Sequence, residues 1–347
     1  MQHDDWPTTG WKTTPPEAEG MDSTVLARID CYVADTFPTL LSVLLVRNGS
    51  LVFEHYYQGC RPEDSVNSKS VTKSIVSALV GIALREHSLR SLDQRLVEFF
   101  PQDFPADGDP RKREITLKHL LTLRSGLCWM ESSAESLPAL FASDNWVRHG
   151  LSLPLLHAPG EVFAYSTLDA HLLSAVLAHV SGMSTLAFAN QSLFGPLGSK
   201  AVRWASDPQG YQIGGSDLYL TPRDMAKVGY LYLRRGQWEG KQLIPEEYLQ
   251  ASTRIQVVPG ISVVVPDAYG YLWWISSVGP SASFYALGYG GQTIYMIPNL
   301  DMVLVTTARW DVPPDLGAGP RTFLLAHDLA EQCVLPALAH VSQETGR

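Results

Sequence analysis

The feature that most constrains the fold is the separation along the chain between strand-forming segments. Near the N-terminus, residues 41–47 and 51–57 are β-rich, and Asn48-Gly49 between them is the dipeptide most typical of a two-residue hairpin. Two strands alone do not form a stable sheet in water. Further strand-like runs follow only near the other end of the chain, at residues 271–275, 293–297 and 302–307.

The two ends of the chain are therefore predicted to build one sheet together. The simplest arrangement joins the five runs into a five-stranded antiparallel sheet flanked by helices, with an inserted all-helical region, which is an α+β fold. We predict a discontinuous sheet domain of residues 1–68 and 211–347. Residues 69–210 form the mainly helical domain in this prediction.

Helical spacing of apolar residues dominates the middle of the chain. It predicts helices at 71–86, 93–100, 117–123, 137–150, 169–181 and 184–194. Helices are also expected at 22–36, from Thr221-Pro222 to about residue 235, and at about 321–340. Asp22, Thr116 and Thr221 are the predicted N-caps, because a short side-chain oxygen accepts from free N–H groups at a helix start.

Composition excludes several classes of protein. The 347 residues are 45% hydrophobic and 18% charged, which excludes disorder as the dominant state. The net charge of −9 argues against nucleic-acid and anionic-membrane partners. No apolar run reaches the roughly 18–20 residues of a membrane span. No signal peptide is visible at the start, so the protein is expected either to be cytoplasmic or to have had a leader removed. The four scattered cysteines are expected to be reduced and mostly buried.

Common cofactor and nucleophile motifs are absent from the sequence. It contains no GxxxxGK[ST] loop, no GxGxxG after a strand, no HExxH and no GxSxG. No cofactor and no metal are therefore expected. His171 follows Asp169 by two residues and invites a triad interpretation, but no nucleophile elbow lies near it. A helix residue packed near the surface is the simpler prediction.

The most informative stretch is an S-x-x-K pattern that opens an apolar helix, with Ser70 and Lys73 three residues apart. Positions three apart share one face of a helix, so the lysine amine can reach the serine hydroxyl. A hydroxyl becomes a useful nucleophile only when a base removes its proton. Desolvation disfavours an ammonium, so a partly buried lysine can be that base. Alone, this spacing is more often a solvated helix face.

Two further segments strengthen the pattern. Tyr165 follows a Pro-Gly turn at the expected start of a helix, where a phenol beside an ammonium can transfer protons. The stretch 288–292 is glycine-rich and precedes a strand, which indicates close approach of another backbone or a ligand. An exposed N–H there, together with that of Ser70, could form an oxyanion hole.

In this order, the three segments resemble the serine β-lactamase and penicillin-binding-protein superfamily. They are most similar to its class C-like branch, which holds carboxylesterases, D-aminopeptidases and 6-aminohexanoate-dimer (nylon-oligomer) hydrolases. Residues 115–127 and 218–226 also look like segments of that branch. The resemblance implies Ser70 as the acylated nucleophile, Lys73 as its activator and Tyr165 as the proton relay. The backbone N–H groups of Ser70 and Gln292 would hold the oxyanion.

Two departures from the family pattern bear on the substrate. The second motif of class C-like lactamases is Tyr-x-Asn, but here Thr167 stands in place of the asparagine. The third motif begins with Lys or His in lactamases, but here it is Tyr289-Gly290-Gly291. A cation that would hold a substrate carboxylate is thus lost, and charge-assisted hydrogen bonds are about twice as strong as neutral ones. Arg309 could replace that charge, although a solvated arginine is the simpler interpretation.

The sequence therefore favours a metal-independent serine hydrolase that acts on a small-molecule carboxylic ester or linear amide. The alternatives are a β-lactamase or DD-peptidase, and a catalytically silent relative that binds a ligand. The expected substrate-binding residues are Tyr289, Gly290, Gly291, Trp129, Asn145 and Trp146. The last three are candidates because they fall in loops or helix ends between the first two motifs.

Overall fold

The structure, a computed structural model, describes residues 5–106, 108–260, 268–276, 282–312 and 320–338. The α-helices are α1 (Ser23–Leu26), α2 (Arg28–Thr36), α3 (Val71–Arg85), α4 (Leu117–Leu121), α5 (Ser136–Phe141), α6 (Trp146–Ser152), α7 (Thr167–Ser181), α8 (Thr185–Ala189), α9 (Pro222–Leu233), α10 (Glu246–Ser252) and α11 (Leu325–Leu329). The strands are β1 (Leu40–Arg47), β2 (Ser50–Tyr56), β3 (Val66–Asn67), β4 (Arg203–Trp204), β5 (Leu218–Leu220), β6 (Gln237–Trp238), β7 (Lys241–Gln242), β8 (Ala268–Tyr269), β9 (Trp274–Ser276), β10 (Ser283–Gly288), β11 (Gln292–Ile297) and β12 (Met302–Ala308).

One antiparallel sheet joins the two ends of the chain, in the order β2-β1-β12-β11-β10-β9-β8. The α+β prediction is confirmed, and so is the pairing of N-terminal with C-terminal strands, since Leu44 of β1 lies opposite Val305 of β12. The prediction of five strands in this sheet is wrong, because seven of the described strands belong to it. The missed strand β10 is buried at every position, so it lacks the alternation that identifies a half-exposed strand.

The run predicted at 271–275 is divided between a turn and a strand. Leu272 has φ +59°, so the chain turns there and only Trp274–Ser276 pairs with β10. The preceding strand β8 has two residues, too few to give a recognisable pattern. These two short strands form one edge of the sheet.

The predicted hairpin is confirmed. Asn48 has φ +48° and Gly49 has φ +82°, as the tight primed turn between two twisted strands requires. A side chain at Gly49 would also collide with Tyr230, because a Cβ there would lie 2.7 Å from its hydroxyl oxygen. This contact ties the turn to α9, which packs on β1, β11 and β12.

The three predicted N-caps are confirmed. The side chains of Asp22, Thr116 and Thr221 accept from backbone N–H groups at the starts of α1, α4 and α9. Several predicted helices are shorter or broken: 22–36 divides at Ala27, and 137–150 divides into α5 and α6. Residues 93–100 contain only the 3-10 turn Leu96–Glu98. Helix α11 lies between the 3-10 turn Pro320–Leu324 and the π-turn Ala330–Val334.

Helix α3 is the central element that positions the site. Every residue from Val71 to Ala83 is buried, which is typical of a helix that neighbouring elements enclose on all sides. It packs against α7 on one side and against β10 of the sheet on another. The N-terminus of α3 therefore lies where the helical region meets the sheet.

The cysteine prediction is correct in one respect. All four cysteines are free, but only Cys333 is buried, so the expectation that most are buried is wrong.

No single helix in the described ranges is long and apolar enough to cross a membrane. The bent pair Thr167–Ser181 and Thr185–Phe194 passes that test by length and composition alone.

Candidate active site

Ser70 and Lys73 lie at the N-terminus of α3, one helical turn apart. The Lys73 Nζ atom is 3.1 Å from Ser70 Oγ. Lys73 is only 1% exposed, and its amine also donates to Thr167 Oγ1 at 3.1 Å and to the Gly215 carbonyl at 3.0 Å. The lysine amine thus contacts the serine hydroxyl, as the spacing predicts. Ser70, Thr167 and Gly215 together hold the amine in place.

The turn before Ser70 is held in an unusual conformation by side chains. Lys69 has φ +49°, which is uncommon for any residue with a Cβ. The Lys69 N–H donates to Asn67 Oδ1 at 2.9 Å, and the Asn67 amide donates to Asp217 Oδ1 at 2.6 Å. Ser68 donates through its hydroxyl to the Leu218 carbonyl at 2.9 Å. Strand β5 and the residue before it therefore set the position at which the nucleophile turn enters α3.

Tyr165 lies beside the lysine. Its ring centroid is 4.8 Å from Lys73 Nζ, and it stacks on Trp274 with centroids 5.9 Å apart and planes at 18°. Helix α7 begins directly after it, because the Ser166 hydroxyl caps α7 by accepting from the Asp169 N–H. Packing of α7 on α3 brings the first two sequence motifs together.

Thr167 takes up the contact that the family pattern assigns to an asparagine. Its hydroxyl accepts from Lys73, so a hydroxyl replaces the absent amide at this position. Gly215 permits the contact, since a Cβ there would lie 2.6 Å from Thr167 Cγ2 and 2.8 Å from Oγ1. The sequence analysis missed a role for both residues, and the Gly214-Gly215 pair before a strand was the available signal.

The glycine-rich turn lies against the nucleophile turn. Gly288 pairs with Gln292 across β10 and β11, and a Cβ at Gly288 would lie 2.5 Å from the Ser68 carbonyl oxygen. The Gln292 side chain faces away into the sheet, where it exchanges two hydrogen bonds with the Ala308 backbone. The start of β11, where Gln292 lies, is therefore close to the turn that carries Ser70, as an oxyanion hole would require. The oxyanion role itself stays a prediction.

The exposed end of this turn carries the third-motif residues. Tyr289 is 41% exposed, and Gly290 and Gly291 have φ of +84° and +102°. A Cβ at Gly290 would lie 3.1 Å from Trp310 Cα, so the segment after β12 covers the turn from one side. Contact of Tyr289, Gly290 and Gly291 with substrate stays a prediction.

Two cations lie near the glycine-rich turn, and one of them was missed by the sequence analysis. The Lys69 ammonium is 3.1 Å from the centre of the Trp310 ring, and burial lowers the pKa of Lys69. Arg309, considered above as a replacement charge, pairs with Asp311 at 3.3 Å on the surface. Lys69, rather than Arg309, is thus the half-buried cation beside the glycine-rich turn.

The three predicted cleft residues of the helical region have different surroundings. Trp129 is buried and donates through Nε1 to Glu131 at 2.7 Å, next to Thr167. Asn145 caps α6 by accepting from the Arg148 N–H at 2.7 Å. Trp146 is buried, with its ring against those of Phe141 and His171. Their described contacts are therefore structural, and contact with substrate stays a prediction.

His171 is buried rather than near the surface, which corrects the prediction made for it. Its Nε2 lies 3.1 Å from Asp207 Oδ2, and both side chains are fully enclosed. Asp169 faces a different group, since its carboxylate accepts from the hydroxyls of Ser125 and Ser166. The two residues that invited a triad interpretation therefore serve separate polar clusters.

We expect Asp169 to make stability depend on pH. Burial raises the pKa of Asp169 from its ordinary value of 3.8 to about 7. From pH 4 to 7 the folded chain holds a proton that the unfolded chain has released, so stability is complete below pH 4 and falls as pH rises. Between pH 5 and 7 the loss is about 2–3 kcal/mol.

Asp169→Asn removes this titration and still offers one oxygen to both serine hydroxyls. In urea unfolding at pH 5, 6, 7 and 8, the free energy of unfolding of the variant is expected to decline less than that of the wild type between pH 5 and 7. Above pH 7 the two curves should run parallel. Parallel curves across the whole range would contradict the assignment.

Comparison with known proteins agrees with this arrangement. The chain is 22% identical over 296 residues to the 6-aminohexanoate-dimer hydrolase of Paenarthrobacter ureafaciens, covering 79% of this chain and 74% of that protein. It is 25% identical over 291 residues to an uncharacterized protein of Alkalihalophilus pseudofirmus, covering 76% and 82%. The chain is also similar to the solved structure of EstCE1, a hydrolase with promiscuous acyltransferase activity. The TM-score is 0.71 and the identity 17%, and the match covers 88% of this chain and 98% of that one.

The family assignment rests on the match along the chain. The sequence profile described as Beta-lactamase matches residues 40–328, which include Ser70, Lys73, Tyr165 and the glycine-rich turn. The α+β fold and the order of the three motifs agree with that match. This chain is a member of the β-lactamase family of hydrolases.

Proposed function

We propose that this protein is a metal-independent serine hydrolase that cleaves carboxylic esters or small linear amides through an acyl-enzyme. The observation that carries the proposal is the 3.1 Å contact between Ser70 Oγ and Lys73 Nζ, beside the Tyr165 ring. A serine hydroxyl in contact with a buried amine, with a phenol ring beside that amine, supplies the groups that acyl transfer needs.

In the proposed reaction, Ser70 Oγ bonds to the substrate carbonyl carbon while its proton passes to Lys73. Tyr165 delivers a proton to the leaving alcohol or amine as the bond from the carbonyl carbon to that group breaks. Water then attacks the acyl carbonyl carbon and gives a proton to Tyr165. The bond from that carbon to Ser70 Oγ breaks, and Lys73 returns the proton to Ser70. The backbone N–H groups of Ser70 and Gln292 stabilise the charged oxygen in each step.

Esters and linear amides are favoured over β-lactams by the third motif. Tyr289 presents a phenol where lactamases carry an ammonium or imidazole, so a substrate carboxylate would lose a charge-assisted bond there. The names of the relatives, a 6-aminohexanoate-dimer hydrolase and a hydrolase with acyltransferase activity, support the same class. An ester is the first choice, because an alcohol leaving group needs less protonation than an amine.

A β-lactamase or DD-peptidase is the second candidate. The observation that favours it is Lys69, whose half-buried ammonium lies on Trp310 beside the glycine-rich turn and could attract a carboxylate. Nitrocefin separates the two candidates. Hydrolysis of nitrocefin faster than that of the ester or the linear amide would favour this second function.

The test is labelling of the purified protein with a fluorophosphonate, followed by mass mapping of the adduct. We expect one adduct, on the peptide that contains Ser70. The same preparation is assayed with p-nitrophenyl butyrate, 6-aminohexanoate dimer and nitrocefin. Ester turnover by a protein that is not labelled at Ser70 would overturn the proposed mechanism.

A further inference from the structure

Glu131 is a carboxylate that the mechanism above does not use, although Thr167 links it by hydrogen bonds to the proposed catalytic lysine. Its Oε2 accepts from the Thr167 N–H at 2.8 Å and from Trp129 Nε1 at 2.7 Å. Its Oε1 accepts from the Thr167 hydroxyl at 2.5 Å. Three donors converge on it, which matches a carboxylate that only accepts hydrogen bonds.

The direction of the Thr167 hydroxyl follows from this arrangement. A hydroxyl has one proton, and Thr167 uses it to donate a hydrogen bond to Glu131. In the contact between Thr167 Oγ1 and Lys73 Nζ, the threonine oxygen can therefore only accept. The Gly215 carbonyl is likewise an obligate acceptor from Lys73. Two of the three positions around the lysine nitrogen are thus committed to N–H bonds.

The third position around that nitrogen faces Ser70 Oγ at 3.1 Å. When Lys73 is a neutral amine, its lone pair must occupy this position, because the other two carry the protons. The amine is then aligned to take the Ser70 proton and becomes an ammonium with three partners. No proton needs to reach Glu131 for this step.

We propose that Glu131 is a positioning residue that aims the Lys73 lone pair at Ser70 by holding the Thr167 hydroxyl proton. The inference rests on the proposed roles of Ser70 and Lys73. Without the carboxylate, the hydroxyl is free to turn its proton toward Lys73 and to compete with Ser70 for the lone pair.

Glu131→Gln tests this role with little change in shape. If the glutamine oxygen keeps the two donors at Oε2, its amide nitrogen faces the Thr167 hydroxyl and donates to it. The hydroxyl proton then points to Lys73. We expect kcat and the rate of fluorophosphonate labelling to fall about 10- to 100-fold with KM little changed, since general-base catalysis contributes 10²–10⁴-fold.

The sharper test asks whether Glu131 acts through the hydroxyl. In a Thr167→Ser background, which keeps a hydroxyl, Glu131→Gln is expected to cost the same 10- to 100-fold. In a Thr167→Val background, which lacks one, the cost should fall to about twofold or less, because coupled residues are non-additive. Equal costs in both backgrounds would overturn the inference.

Glu54→Gln is the matched control, because Glu54 also accepts from a hydroxyl, that of Tyr56, and pairs with Arg223. It should change stability without changing kcat. Rates are compared per folded molecule, from urea unfolding of each variant. Wild-type labelling at Ser70 with normal rates in Glu131→Gln would reject this inference alone, whereas absent labelling at Ser70 would reject the proposed function.

Discussion

Ser70→Ala is expected to reduce ester turnover by at least about 10³-fold and to abolish fluorophosphonate labelling. The substitution removes the hydroxyl oxygen that lies 3.1 Å from the Lys73 amine and that would carry the acyl group, so no acyl-enzyme can form at this position. The fold should be retained, because Ser70 makes no side-chain cap for α3. Turnover of p-nitrophenyl butyrate and intact-mass analysis after labelling provide the measurement.

Ser74→Ala is the control for the Ser70 result. Ser74 lies one turn further along α3, is buried, and donates through its hydroxyl to the Leu272 carbonyl at 2.6 Å. Its loss should cost about 1–3 kcal/mol of stability by leaving that carbonyl unpaired, with kcat per folded molecule unchanged. Equal turnover in Ser70→Ala and wild type would contradict the assignment of the nucleophile.

Lys73→Met is expected to lower kcat/KM by about 10²–10⁴-fold, the usual contribution of a general base. Methionine fills much of the space of the lysine chain but cannot accept the Ser70 proton. The Gly215 carbonyl and the Thr167 hydroxyl also lose their donor, so the variant should be less stable by about 1–3 kcal/mol. Steady-state kinetics and urea unfolding measure the two effects separately.

Lys227→Met is the matched control for this second substitution. Lys227 is a buried lysine of α9 whose amine donates to the carbonyls of Thr8 and Gly198. It should lose stability in a similar way and retain kcat/KM per folded molecule. If Lys227→Met lost as much activity as Lys73→Met, the loss would reflect burial of a lysine in general and not base catalysis.

Local sequence patterns predicted the elements whose determinants are close together in the chain. The Asn48-Gly49 turn needs only its own two residues to adopt positive φ, and the caps Asp22, Thr116 and Thr221 need only the next few N–H groups. The pattern failed at β10, where burial on both faces removes the alternation. That burial comes from distant parts of the chain.

The same distinction applies to the candidate site. The three-residue spacing of Ser70 and Lys73 on a helix predicts their contact, because helical geometry alone places them on one face. Nothing in local spacing connects Lys73 to Gly215, or Glu131 to Thr167. Those contacts exist because α7 packs on α3 and because glycine at 215 leaves room for the Thr167 side chain.

The sequence by itself determined the α+β class, the joining of both chain ends in one sheet, and the order of three motifs that identify the family. Only the tertiary structure determined the number of strands in that sheet, which is seven. It also showed that Lys69 is the half-buried cation near the glycine-rich turn. The hydrogen bonds that connect Glu131 through Thr167 to Lys73 were likewise visible only in the tertiary structure. Periodicity and spacing record local geometry, whereas the partners of a buried polar group depend on which distant segments pack around it.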